Sequence, residues 1–234
     1  MNASTIAQPA SSDARPIAPL WHTGLFLLAL GGLAGLSAYR HGLPAFGESR
    51  PTSYLITIAF EWLLAALAWW GIRLGGTPIR SVIGERWSSP KLFLRDLGIA
   101  AVFLIGSNII LGALSAALHT TNSESLKRMF PQSRTEIVLW IFLSLSAGIC
   151  EEFATRGYLQ KQLSGLFKSA TAGLLLQGIV FGMAHAYQGA KHVLTIVLLG
   201  CMLGWLAQWR QSLKPGMVAH FVQDVVGGLL KGGH

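Results

Sequence analysis

The chain has 234 residues, of which 52% are hydrophobic and only 12% charged, where an ordinary soluble domain carries about 25% charged residues. With a mean hydropathy of +0.49 this excludes a water-soluble globular enzyme, and the lack of repeated apolar–polar alternation excludes a closed β-barrel. The net charge of +8 does not point to nucleic acid, because Lys and Arg are scattered through the connecting loops and form no basic face interleaved with aromatics.

Residues 1–19 are rich in Ala, Ser and Pro, lack a hydrophobic face and predict a disordered tail. The apolar run that follows is too long for a cleavable signal and has no clear cleavage site. Residues 20–234 read as one all-α, membrane-embedded domain, a polytopic bundle of about seven spans, six to eight with the uncertain edges. The apolar runs are 20–38, 54–74, 97–118, 137–155, 172–186, 193–209 and 217–230, and a helix of about 20 apolar residues crosses the hydrocarbon with every backbone amide paired internally. Between the second and third runs, residues 78–96 are basic and partly amphipathic, which predicts a segment lying along the interface.

Lys and Arg divide eleven to seven in favour of an inside amino terminus. Gly31/Gly35, Gly178/Gly182 and Gly200/Gly204 recur at the four-residue spacing that lets helix backbones approach closely, which is structure rather than chemistry. Cys150 and Cys201 both fall in apolar runs and are not spaced as a disulfide framework.

An ionisable side chain inside a span costs about 2.5–3.5 kcal/mol to insert, so each one is a functional candidate with a partner to be found. In the fourth run Glu151 and Glu152 stand side by side, and Arg156 lies one turn beyond Glu152 where an α-helix would pair them. Glu151, rotated by about 100° on an α-helix, lacks that partner and suits a general base. The plain alternative is a helix end emerging into water. His185 ends the fifth run with Phe181 one turn earlier, a pattern that also fits a satisfied structural histidine. His220 and Asp224 share a face of the last run, where they would orient an imidazole, ligate a metal or satisfy one another. Glu61 and Asn108, each alone on its span, are expected to hydrogen-bond to each other and to stay outside the site.

Glu151-Glu152-x-x-x-Arg156, Phe181-x-x-x-His185 and His220-x-x-x-Asp224, in that order on three late spans with Leu213-x-Pro215 ahead of the last, resemble the CPBP family. That family holds the type II CAAX prenyl proteases together with bacteriocin-processing and immunity-linked (Abi-like) proteins. The resemblance covers residues 137–230. It implies a multi-pass intramembrane endopeptidase of the cell membrane that acts on a membrane-associated protein or peptide. The residue matching Glu151 would activate water, that matching His185 would assist, and those matching His220 and Asp224 would stabilise the oxyanion. An ionised Asp repels an oxyanion, so Asp224 would either be protonated or act by holding His220 in a donating state. Glu152 and Arg156 would form a supporting buried pair, and no cofactor is needed.

Four rival readings use the same residues. A zinc site would take Glu151, His185 and His220 as ligands, although His-Glu-x-x-His is absent. A cysteine mechanism would use Cys150, about 100° of helix rotation from Glu151. An ion-coupled transporter would use the polar groups as a relay, against which stands the absence of a repeated half. A non-catalytic binding or immunity protein would tolerate loss of Glu151. For the three motifs to meet, the fourth helix is expected to continue to about Gln162 and turn near Ser164-Gly165.

Overall fold

The computed structural model describes residues 15–42, 49–120, 127 and 129–232. Among these there are helices and no strands: α1 (Leu20–Gly42), α2 (Arg50–Leu74), the short α3 (Ile79–Ile83), α4 (Pro90–Ala117), α5 (Arg134–Glu151), a π-helix (Glu152–Gln160), α6 (Lys161–Phe167), α7 (Ala170–Ala184), a 3-10 turn (Ala186–Gln188), α8 (Ala190–Arg210) and α9 (Lys214–Gly232). Each of the seven predicted apolar runs lies on a helix. Five stretches are long and apolar enough to cross a membrane: Leu20–Tyr39, Arg50–Leu74, Pro90–Ala117, Arg134–Phe167 and Ala190–Arg210. α7 is apolar but shorter, at 15 residues. Leu28, Leu63, Val102, Ile109 and Leu230 lie on outward faces, more than three-fifths exposed; that many outward apolar side chains suit a bundle solvated by lipid.

The helix starts follow from local chemistry. Ser49, Ser89, Ser133 and Ser169 cap α2, α4, α5 and α7, each hydroxyl accepting a backbone N–H of the first turn. Ser133 and Glu136 complete a reciprocal capping box. Lys168 and Gln211 take the left-handed conformation that stops α6 and lies between α8 and α9.

The segment 78–96 is only partly the interfacial strip expected. Its last turns, from Pro90, begin α4, because Ser89 and Pro90 supply a cap and a first helical residue. The rest buttresses the turn before α9: Leu213 N–H donates to the Ile83 carbonyl (3.0 Å), and Lys214 Nζ donates to the Glu85 carbonyl. At the other edge, the Gln162 carboxamide accepts from the Ile17 and Ala18 amides (2.7 and 2.9 Å) and donates to the Ala18 carbonyl and Thr23. Of the expected tail, residues 15–19 are therefore described, with Ile17 and Ala18 anchored, and 1–14 lie outside the described residues.

The core centres on the Arg134–Phe167 rod, with α2 on one side and α9 on the other. Ala65, Ala68 and Ile72 of α2 pack with Cys150, Phe153, Ala154 and Tyr158. Two of the three glycine pairs act as predicted. Gly178 and Gly182 face Cys201 and Val197, and Gly200 and Gly204 admit Phe181, Gln177 and Gln160. Gly31 and Gly35 do not, since no atom stands within 4 Å of where a Cβ would be. They lie on the outward face of α1, whose Leu33, Ala34 and Ser37 form the partly buried side.

Candidate active site

α5 and α9 run antiparallel in register. Gly157 lies against Leu213 and Val82, Gly148 against Met217 and Phe221, and Gly228 against the Trp140 indole. Trp140 Nε1 also donates to the Asp224 carbonyl (3.0 Å). Starting from the Gly157–Leu213 contact, six residues up the rod reach Glu151 and seven up α9 reach His220. At about 1.5 Å per residue the two arrive at nearly one level.

His220 is the hub. Its Nδ1 donates to Glu152 Oε1 (3.0 Å), and its Nε2 faces Asp224 Oδ2 at 3.5 Å and Glu151 Oε2 at 3.8 Å. Glu152 is in turn paired with Arg156 Nη1 at 2.9 Å, both side chains fully buried. Arg156 also donates to Thr155 Oγ1 and to the Gly200 carbonyl, and its guanidinium lies 4.2 Å from the centre of the Phe181 ring. A carboxylate held by Arg156 can only accept, so the imidazole proton sits on Nδ1 and Nε2 is the face presented to Glu151 and Asp224. Exposure follows the same division: the side chains of Glu152 and Arg156 are closed off, while Glu151 and Asp224 are 23% and 35% exposed.

The Glu152–Arg156 pair is where the sequence places it, but two expectations of geometry change. The chain from Glu152 to Gln160 is a π-helix with i→i+5 bonding and not the continuous α-helix expected, and Glu151 is the last α-helical residue before it. Both reach His220, one at each nitrogen. The reversal also falls at Lys168 rather than at Ser164-Gly165. Glu151 and His185 are then each 17 residues from the turn, which removes most of the mismatch in height expected for the earlier turn.

His185 ends α7, half-buried. Its Nδ1 donates to the Phe181 carbonyl (2.8 Å), which leaves Nε2 as the acceptor of the neutral ring. It makes no hydrogen bond to Glu151 or Asp224. Phe181 joins it to the hub, with ring centres 4.8 Å from His185 and 6.1 Å from His220. Tyr187, on the 3-10 turn beside His185, accepts from Gln188 Nε2, and burial pushes its phenol up to about 12, so it stays protonated at neutral pH.

Among the described residues no three His, Cys, Asp or Glu side chains converge on a point that would hold a metal. Of the set Glu151, His185 and His220, His185 is turned to the Phe181 carbonyl. Cys150 packs in the core, 1% exposed, among Ala154, Phe153 and the α2 alanines.

Asn108 is exposed and bonds to the Leu104 carbonyl of its own helix (2.8 Å), so the expected pairing with Glu61 does not occur. Glu61 is instead buried on the face of α2 that meets α5, within electrostatic reach of Glu151, Asp224 and His220. Its signal in the sequence was a lone carboxylate in a span. For Trp140, Ser146 and Tyr187 there was no such signal.

A bundle of apolar helices that encloses three carboxyls around one imidazole is a polytopic membrane protein with an internal polar site. Residues 133–226, from the cap of α5 into α9, match the family model described as type II CAAX prenyl endopeptidase Rce1-like. Over that stretch the chain is similar to the Rce1-like family, which bears out the CPBP resemblance and supports an intramembrane endopeptidase of the CAAX-protease type. No curated protein and no solved structure matches the chain.

Proposed function

We propose that the protein hydrolyses a peptide bond in a membrane-associated protein or peptide, using water activated by Glu151. The observation that supports this best is the division of labour around His220, with the Glu152–Arg156 pair fixing Nδ1 and the more exposed Glu151 and Asp224 facing Nε2. Glu151 takes a proton from water, and the hydroxide attacks the scissile carbonyl. The resulting oxyanion is met by His220, and Glu151 returns the proton to the departing amine as the C–N bond breaks. With the Nδ1 proton given to Glu152, Nε2 donates to the oxyanion only when it carries a proton too. Asp224 then acts by holding that ring, the second of the two roles open to it. His185 assists with its free Nε2 lone pair, which accepts from the N–H of the departing amine and leaves the second proton of the water unclaimed.

The test is cleavage of a membrane-peptide library by protein purified in detergent. Glu151→Gln is expected to lower the rate by about 10³-fold, with His185→Ala also strongly impaired and a chelator without effect. Full cleavage by folded Glu151→Gln would leave a binding role. Loss on chelation with recovery on zinc addition would replace the glutamate mechanism by a metal one.

A further inference from the structure

Glu61 lies outside the segment that matches the Rce1-like family model. On α2 it heads a seam of buried side chains, with Ala65, Ala68 and Ile72 below it at helical spacing. Those three pack tightly against the Arg134–Phe167 rod. Glu61, one turn beyond Ala65, sits where the seam gives way to Ser146 and the Glu151 carboxyl. It is nine-tenths buried, and no Lys or Arg is among the groups whose charge reaches it, which are Glu151, Asp224 and His220. Its Oε2 makes no hydrogen bond of good geometry, and neither does the buried hydroxyl of Ser146 on α5, although the two lie close enough for Ser146 to act on the Glu61 carboxyl.

A buried carboxyl with no cation is expensive in any interior, and a leucine here would extend the alanine seam at less cost. The fold therefore does not account for Glu61. Two buried polar atoms without a hydrogen bond of good geometry, on facing helices and beside one carboxylate, make the kind of place that an ordered water fills. We infer that Glu61 is a positioning residue of the active site, which together with Ser146 holds the nucleophilic water against Glu151. The inference rests on the reading of Glu151 as the group that activates water. Glu61 accepts a hydrogen bond from that water without taking its proton, and misplacing it lowers turnover more than substrate binding.

The experiment compares wild type, Glu61→Leu, Glu61→Gln and Glu151→Gln on the library peptide that wild type cleaves fastest, with thermal unfolding of each in detergent. Glu61→Leu is expected to melt no lower than wild type while kcat falls by about 10²-fold and KM changes little. Glu61→Gln, which can still accept a hydrogen bond, is expected to recover most of kcat. Stability kept while turnover is lost would not arise from a purely structural residue. A Leu variant with wild-type kcat, or one that melts lower or fails to fold, overturns the inference, as does Gln no better than Leu. If Glu151→Gln cleaves normally, or folded wild type cleaves nothing, the reading of Glu151 falls first and takes this one with it. If Glu151→Gln is inactive and Glu61→Leu is not, only the role of Glu61 falls.

Discussion

At the scale of single residues, the site is a set of charges that restrain one another. Arg156 is fully buried with Glu152, and a buried pair is weak evidence for stability but costly to break. Glu152→Gln or Arg156→Met alone is expected to destabilise the protein by about 3–5 kcal/mol, read as a lower melting temperature in detergent. The apolar double variant Glu152→Met/Arg156→Leu is expected to regain most of that stability and none of the cleavage, because His220 Nδ1 loses its acceptor. Single variants as stable as wild type would show that the pair is not essential to the interior. Glu152 and Arg156 were legible in the sequence because a five-residue motif carries both. That Glu152 holds His220, 68 positions away, was not legible from spacing within one helix.

At the scale of elements, the register of α5 on α9 decides whether Glu151 and His220 meet. Gly148 leaves room for the Met217 carbonyl and the Phe221 backbone, so a Cβ there presses on α9 itself. Gly148→Val is expected to lower cleavage by about 10²-fold through displacement of His220, whereas Gly31→Leu on the open part of α1 is expected to change stability by no more than about 0.5 kcal/mol. Equal effects of the two on cleavage and melting would contradict the packing described. The glycine spacing looked alike at all three pairs. What separates Gly31/Gly35 from the others is that they lie on the outward face of α1, which spacing does not encode. The π-helix was hidden for a related reason: residues 152–160 read equally well as α-helix, and the i→i+5 bonding is a property of the folded backbone alone.

At the scale of the whole molecule, Gln162 ties the residues ahead of α1 to the base of the central rod through four hydrogen bonds. Gln162→Ala is expected to cost about 1–3 kcal/mol and to open 15–19 to limited proteolysis, with cleavage activity retained; an unchanged digestion pattern would show that the anchor lies elsewhere. Hydropathy alone determined that this is a multi-pass helical protein and where its apolar helices run, because the bilayer admits few ways to pair a backbone, and lone ionisable groups in apolar sequence marked Glu151, Glu152, Arg156, His185, His220 and Asp224. Only the tertiary structure decided that Glu61 belongs beside them and not with Asn108, that His185 joins them through Phe181, and that Glu151 and Glu152 take opposite nitrogens of His220. Those are relations between helices, fixed by which faces pack and at what height, and a linear pattern of apolar residues says how long a helix is without saying how it is turned.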